Sequence, residues 1–209
     1  MGSYAPHGGL KEPVNRMVPE DKLENVLQDA LKLKKYKISN SDLSTLNRFG
    51  DGGLSPLTGP MGEDEFNQVL EEEVIIRGGK KYAWTIPLSF PIAKEEAERL
   101  DKGEEIAIVS EEGKIVGILK VSDIFEFDKK KYNESVYQTT RTDHPGARIV
   151  NNDSRDYLLG GEVQVFPQEP NPSFGEYILS PVKTRELFKE KKWEKIVAFQ
   201  TRNPLHRAH

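Results

Sequence analysis

The chain has 209 residues, with 30 basic and 34 acidic side chains, a formal net charge of −4, and no cysteine. Near balance disfavours a general nucleic-acid binder, which needs clustered Lys and Arg to hold a phosphate backbone, and the missing cysteine excludes disulfides and thiolate chemistry. No apolar run approaches membrane-spanning length and the N-terminus lacks the apolar core of a signal peptide, so the reading is a cytoplasmic protein with no membrane partner.

From Pro19 to Lys35 the periodicity predicts a helix. Leu23, Val26, Leu27, Ala30 and Leu31 fall on one stripe, and the Leu23/Leu27/Leu31 line is expected to pack on the core. Phe49 to Gly62 (FGDGGLSPLTGPMG) is a Gly- and Pro-rich loop. It reads as a tight structural turn, with a phosphate cradle as the alternative; it lacks the Lys-Ser or Lys-Thr ending of a P-loop. Strands are expected at Lys81 to Ile86, Ile106 to Val109 and Lys114 to Val121, the last two forming a hairpin across Glu111-Glu112-Gly113. Ala93 to Leu100 reads as a short helix ended near Gly103, and Gly160 to Phe166 as one more strand. Many short strands with turn signals predict a β-rich barrel or sandwich for roughly the first 165 residues. The lysine runs Lys129 to Lys131 and Lys189 to Lys195 are diluted by Asp128, Glu190 and Glu194, and read as solvated faces.

Composition changes at Pro167 to Ser173 (PQEPNPS), which reads as a linker. Beyond it, Ser180-Pro181 is a cap followed by a first-turn proline, Val182 to Lys192 a helix, and Lys195 to Gln200 (KIVAFQ) a buried-type strand. Helix, strand and polar loop open an α/β unit, and ligands of open α/β sheets bind at the carboxyl ends of strands. About 40 residues cannot build such a sheet covered on both faces, so the second domain is expected to be cut short. The division is residues 1–167 and 168–209.

The loop itself, Phe199 to His209 (FQTRNPLHRAH), carries the chemistry. Gln200, Thr201, Arg202 and Asn203 are consecutive hydrogen-bonding side chains after an apolar strand. The planar fork of Arg202 suits a tetrahedral oxyanion. Pro204 can start a helix, which places His206 and His209 on one face of its first turn beside free backbone N–H groups. Imidazoles beside a triphosphate are drawn toward their protonated form, adding positive charge where pyrophosphate leaves. Two other readings stand beside this one: a His pair that ligates a metal, though no third ligand is close in sequence, and ordinary polar surface.

As a whole string, FQTRNPLHRAH closely resembles the signature of the sulfate adenylyltransferase (ATP sulfurylase) family. Leu54 to Gly59 (LSPLTG), Trp84 to Pro87 (WTIP), Thr142 to Gly146 (TDHPG), Leu159 to Val163 (LGGEV) and Ser180 to Phe188 (SPVKTRELF) resemble the same family in the same order. The resemblance covers the N-terminal part of such an enzyme. It implies an α+β chain: a β-rich PUA-like barrel domain, then the truncated start of a Rossmann-like α/β nucleotidyltransferase domain. It also implies the reaction of ATP with sulfate to give adenosine 5′-phosphosulfate and pyrophosphate. Sulfate attacks the α-phosphorus directly, and Mg2+ is carried on the ATP phosphates rather than by a protein metal site. By matching position, Gln200, Arg202 and Asn203 would bind sulfate, Thr201, Arg202 and Asn203 would form the catalytic group, and His206 and His209 would hold nucleotide phosphates. His144 of TDHPG reads as structural. Pro60 stands where the family usually has Phe, and the downstream Gly-Arg and adenine-contacting segments are missing, so this chain alone reads as an inactive fragment. ATP and sulfate are the expected partners, and a homo-oligomer is left open. The alternative function is a PUA-like module binding RNA or a partner protein, with a vestigial catalytic stub.

Overall fold

The hairpin expected around Gly113 organises the first domain. In the computed structural model, which describes residues 5–169, 172–201 and 204, β5 (Glu105–Val109) and β6 (Ile115–Glu126) pair antiparallel. Gly113 turns the chain between them at φ 85°, a backbone angle that costs glycine little. The long β6 then pairs along its length with β7 (Tyr157–Val165), and β4 (Phe90–Ile92) adds outside β7. On the other side, β1 (Lys34–Lys37) joins β5 in parallel, which completes the order β1-β5-β6-β7-β4. The two edges of this sheet meet. The hydroxyl of Tyr36 in β1 donates to the carbonyl of Pro91 in β4 at 2.6 Å, so a side chain closes the barrel where no ladder does. Burial and neighbouring carboxylates push the Tyr36 phenol far above its ordinary value, which keeps it a donor.

Helix α2 (Asn40–Asp51) lies across the barrel and buries Leu46 and Phe49 against Phe90, Leu119 and Val165. Its start is a capping box between Ser39 and Asp42, and Gly52 ends it in the left-handed conformation. Helix α3 (Glu63–Glu72) buries Phe66, Val69 and Leu70 and leads into the separate hairpin of β2 (Val74–Arg77) and β3 (Lys80–Ala83). The short helices α4 (Lys94–Ala97) and α5 (Lys129–Tyr132), a π-helical turn at Asn133–Tyr137 and helix α6 (Pro145–Asn152) complete the domain. The chain is α+β, as expected.

Helix α1 (Leu23–Ala30) is shorter than the sequence predicts, because the chain leaves it to form β1. Its inward face also differs. Ala30 is fully buried with Val18, Ala107, Ile118 and Phe166, and Leu23, Val26 and Leu33 pack beside it. Leu27 is 39% and Leu31 52% exposed, so the inward line is 23/26/30/33 rather than 23/27/31. Small Ala30 lets the helix sit close to the sheet and turns the bulky leucines outward. Leu27→Ala should therefore cost under about 1 kcal/mol, whereas Leu119→Ala, at a fully buried position, should cost about 2–5 kcal/mol. Urea melts of the two variants check the assignment.

Three other expectations are corrected. The strand read over Lys81 to Ile86 ends at Ala83, and the helix read over Ala93 to Leu100 spans only Lys94–Ala97. Lys195 to Gln200 is not a strand. Val197 is 95% and Phe199 67% exposed, and this segment pairs with no strand among the described residues. A β-type sequence forms a ladder only where a neighbouring strand supplies the partner groups.

Candidate functional site: the segment leading into the signature

Helix α7 (Pro181–Glu190) starts as the sequence predicts, with Pro181 in the first turn and the Ser180 hydroxyl accepting from the Lys183 N–H at 3.3 Å. Its end follows from local hydrogen bonds. The N–H of Trp193 reaches the Phe188 carbonyl at 3.0 Å and that of Lys192 the Lys189 carbonyl at 3.1 Å, the paired pattern of a Schellman stop. The accompanying apolar contact is Phe188 with Trp193, whose rings lie 6.1 Å apart. The Lys191 ammonium sits 5.6 Å over the Trp193 ring. The position that usually takes glycine is Lys192, at φ 55°.

Past this stop the chain runs irregularly to Gln200 and Thr201, both exposed. Arg202, Asn203, His206 and His209 lie outside the described residues. Of the expected constellation, then, only Gln200 and Thr201 have a described position. Between α7 and the segment of residues 5–13 lies a cleft of about 570 Å³, whose lining includes Leu10, Lys11, Pro13, Val182, Arg185 and Lys189. Arg185 donates to the Pro181 carbonyl at 3.1 Å. Sequence reasoning did not single out this cleft, because its two walls are more than 160 residues apart in the chain.

The other motifs have structural work. LSPLTG and LGGEV are two sides of one backbone contact. The Val163 N–H donates to the Thr58 carbonyl at 3.1 Å and that of Gly161 to the Pro60 carbonyl at 2.8 Å. A side chain on Gly160 would stand 2.6 Å from the Gly62 Cα, so the glycines let loop and strand touch. Phe49–Asp51 of the expected loop belong to α2; the rest is the structural turn expected, with the carbonyls of Thr58 and Pro60 taken by β7. His144 of TDHPG caps α6, its Nδ1 accepting from the Ala147 N–H at 3.3 Å, and its ring rests 4.9 Å from Tyr137. Trp84 of WTIP closes the β2–β3 hairpin, its N–H donating to the Glu73 carbonyl at 2.7 Å. These contacts account for each motif without assigning it chemistry.

Several charges of the first domain form ion pairs. Lys129 meets Asp156 and also donates to the Asp153 carbonyl at 2.8 Å, and Lys131 meets Glu71 at 2.7 Å. Arg155 binds Asp153 at 2.6 Å and Asp42 at 3.2 Å. Burial works to raise the Asp153 carboxyl, but hydrogen bonds and charge from Arg155 outweigh it and hold the group below the usual carboxylate range. A depressed folded-state value adds stability above the unfolded value, about 3.9 for aspartate, and that stability is lost as pH falls through the folded value. Asp153→Asn should thus be less stable than the parent at pH 7, with the gap closing below about pH 4; urea midpoints across pH read this directly.

With the geometry described, comparison with known proteins places the chain. Residues 4–168 match a family model described as a PUA-like domain. The chain belongs to the PUA-like domain family. Residues 175–209 match the ATP-sulfurylase family model, so the PUA-like domain is followed by the start of an ATP-sulfurylase domain. A sulfate adenylyltransferase of Pyropia yezoensis is 47% identical over all of the chain and 49% of that protein's length. One from Synechococcus sp. (strain JA-3-3Ab) is 36% identical over 98% of the chain and 50% of its own length. The chain spans about half the length of the curated relatives it matches. Among solved structures, the hexameric APS kinase from Thiobacillus denitrificans superposes with a TM-score of 0.73 at 26% identity, covering 98% of this chain and 35% of that one. The resemblance to the sulfate adenylyltransferase family read from the sequence is shown by these matches. Among the described residues no helix is long and apolar enough to cross a membrane.

Proposed function

We propose that this chain serves a sulfate adenylyltransferase, as the part that carries the sulfate- and phosphate-binding loop. The observation behind the proposal is the match of residues 175–209 to the ATP-sulfurylase family, which contains FQTRNPLHRAH. An oxygen of sulfate attacks the α-phosphorus of ATP, the bond from that phosphorus to the bridging oxygen breaks, and pyrophosphate leaves with its Mg2+. Gln200 and Arg202 hold the sulfate, and Thr201 and Asn203 line the reacting centre. His206 and His209 bind the ATP phosphates. Such positive groups stabilise charge as it builds on the leaving pyrophosphate. The domains divide at residues 167 and 168 and the protein is cytoplasmic; the hexameric state of the Thiobacillus denitrificans neighbour supports a homo-oligomer.

By itself the chain is expected to be inactive. Val197 and Phe199, which precede the loop, are exposed and pair with no strand among the described residues, and catalysis needs donors held in place before charge develops. Pyrophosphate release from ATP, Mg2+ and sulfate tests both statements. The chain of 209 residues should show no sulfate-dependent release. Joined to the second half of the Pyropia yezoensis relative, it should gain it. Turnover by the short chain would disprove its inactivity, and a folded chimera without turnover would remove the functional reading.

A further inference from the structure

The sheet of the PUA-like domain ends at β1, beside a cavity of about 250 Å³. Tyr36 stands opposite Ile108 of β5, and the Ile38 N–H reaches the Val109 carbonyl at 2.9 Å. In a parallel pair only every second residue of a strand bonds to a given neighbour. Tyr36 and Ile38 are those residues here, so the N–H and C=O groups of Lys35 and Lys37 point away from β5, along the free edge. Among the described residues, no backbone hydrogen bond outside the ladder reaches either lysine. The other edge strand, β4, is joined to β1 by the Tyr36 hydroxyl on the Pro91 carbonyl and not by a ladder. A bridge that takes a whole tyrosine side chain holds two edges farther apart than the ~4.8 Å between paired strands. The cavity lies at this seam, with Tyr36, Ile92 and Leu100 in its lining.

The charges along this edge are mostly basic. Lys34 is spent on Glu104 at 2.8 Å and on the Arg99 carbonyl at 2.7 Å. Lys35, Lys37 and Arg99 are exposed and form no ion pair among the described residues, and Glu96 is the one carboxylate in the cavity lining. Unpaired N–H and C=O groups on a sheet edge are a template for another strand. Lysines there repel a second basic edge, β1 of another copy included, and favour a strand that carries carboxylates. Side chains alternate along a strand, so residues set beside Lys35 and Lys37 fall on the exposed face, and the residue between them falls on the face of Tyr36. The fitting pattern is therefore acidic, apolar, acidic. A free carboxylate leaves the edge amides unmet, and a nucleic-acid strand offers phosphates but no backbone N–H groups for the Lys35 and Lys37 carbonyls. We propose that the free edge of β1 docks an extended acidic peptide segment of a partner protein, which adds to the sheet as a strand and seats an apolar side chain in the cavity. This site is independent of the reaction assigned to the loop.

The probe is the peptide acetyl-Glu-Val-Glu-Val-Glu-amide, titrated into the chain by NMR. Saturable one-to-one binding is expected, with shifts centred on Lys34 to Lys37, Ile92 and Leu100. A copy N-methylated at every residue keeps all its carboxylates but cannot pair with an edge, and should bind at least about tenfold more weakly. The Lys-Val-Lys-Val-Lys counterpart should not bind. The double variant Lys35→Glu, Lys37→Glu, changed only at exposed positions, should exchange the two preferences, losing the acidic peptide and gaining the basic one. Arg99→Glu, outside the sheet, should weaken the acidic peptide severalfold and keeps the test valid if the double variant fails to fold. Equal binding of the N-methylated copy, binding of hexauridylate as tight as that of the peptide, or no saturation up to about 10 mM would each overturn the proposal.

Discussion

Gly59→Ala is expected to destabilise the PUA-like domain by about 3–5 kcal/mol, a large part of the roughly 5–15 kcal/mol that holds a domain folded. A methyl group there would run into the Gly161 carbonyl oxygen and stand 3.0 Å from the Val163 nitrogen and 3.1 Å from the Glu162 Cα. All three are backbone atoms of β7, which sits between β6 and β4 in the sheet, so the strand has no room to retreat. The loop must move instead, and it then gives up the hydrogen bonds between Thr58 and Val163 and between Pro60 and Gly161. Each lost bond costs about 0.5–1.5 kcal/mol, and the crowding adds about 1–3 kcal/mol. The control is Gly113→Ala, which has φ 85° but nothing within 4 Å of the added carbon, and should pay only about 1–2 kcal/mol of backbone strain. Urea midpoints compare the two. Equal losses would mean that the loop–strand contact is not what Gly59 serves.

That contact also shows what the sequence did and did not make legible. LSPLTG and LGGEV stand about a hundred residues apart, and each is readable as a motif, but only the fold reveals that one glycine-bearing segment presses on the other. Signals confined to a few neighbouring residues were reliable. The Ser180-Pro181 cap, the Gly113 hairpin and the β7 strand are all present, because turn and cap chemistry acts over a span of about four residues. The errors arose where tertiary contacts choose between local options. The α1 stripe allowed two inward lines, and the close approach permitted by Ala30 decided for the one that exposes Leu27. Lys34–Lys37 became a strand because β5 offers an edge to pair with, despite three lysines that suggest surface. The reverse happened at Lys195 to Gln200, where a strand-like sequence pairs with no strand among the described residues. The cavity beside Tyr36 was invisible, since its walls come from segments spread over residues 34 to 106. For the loop of residues 200–209 the sequence carries more than the fold does, because a recognisable string needs no neighbours to be read.

In a protein that contains this loop and turns over, Arg202→Lys is expected to lower kcat/KM for sulfate by at least about 100-fold, with ATP affinity within a few-fold of the parent. Lysine keeps the charge, so any role based on charge alone would survive the change. What it removes is the rigid fork that bonds two oxygens of a tetrahedral anion at once. A single ammonium on a flexible stem can attract sulfate but cannot fix which oxygen faces the α-phosphorus. Misplacement of a reacting atom by about 1 Å is enough for a loss on the order of 100-fold. His206→Ala should do the opposite, weakening nucleotide binding first, because the proposal sets its imidazole against ATP phosphates. Equilibrium titration of ATP, run beside sulfate-dependent pyrophosphate release, separates the two. A loss of ATP affinity in Arg202→Lys, together with sulfate use left intact, would exchange the two roles. Parent-like kinetics in both variants would remove the loop from the chemistry altogether.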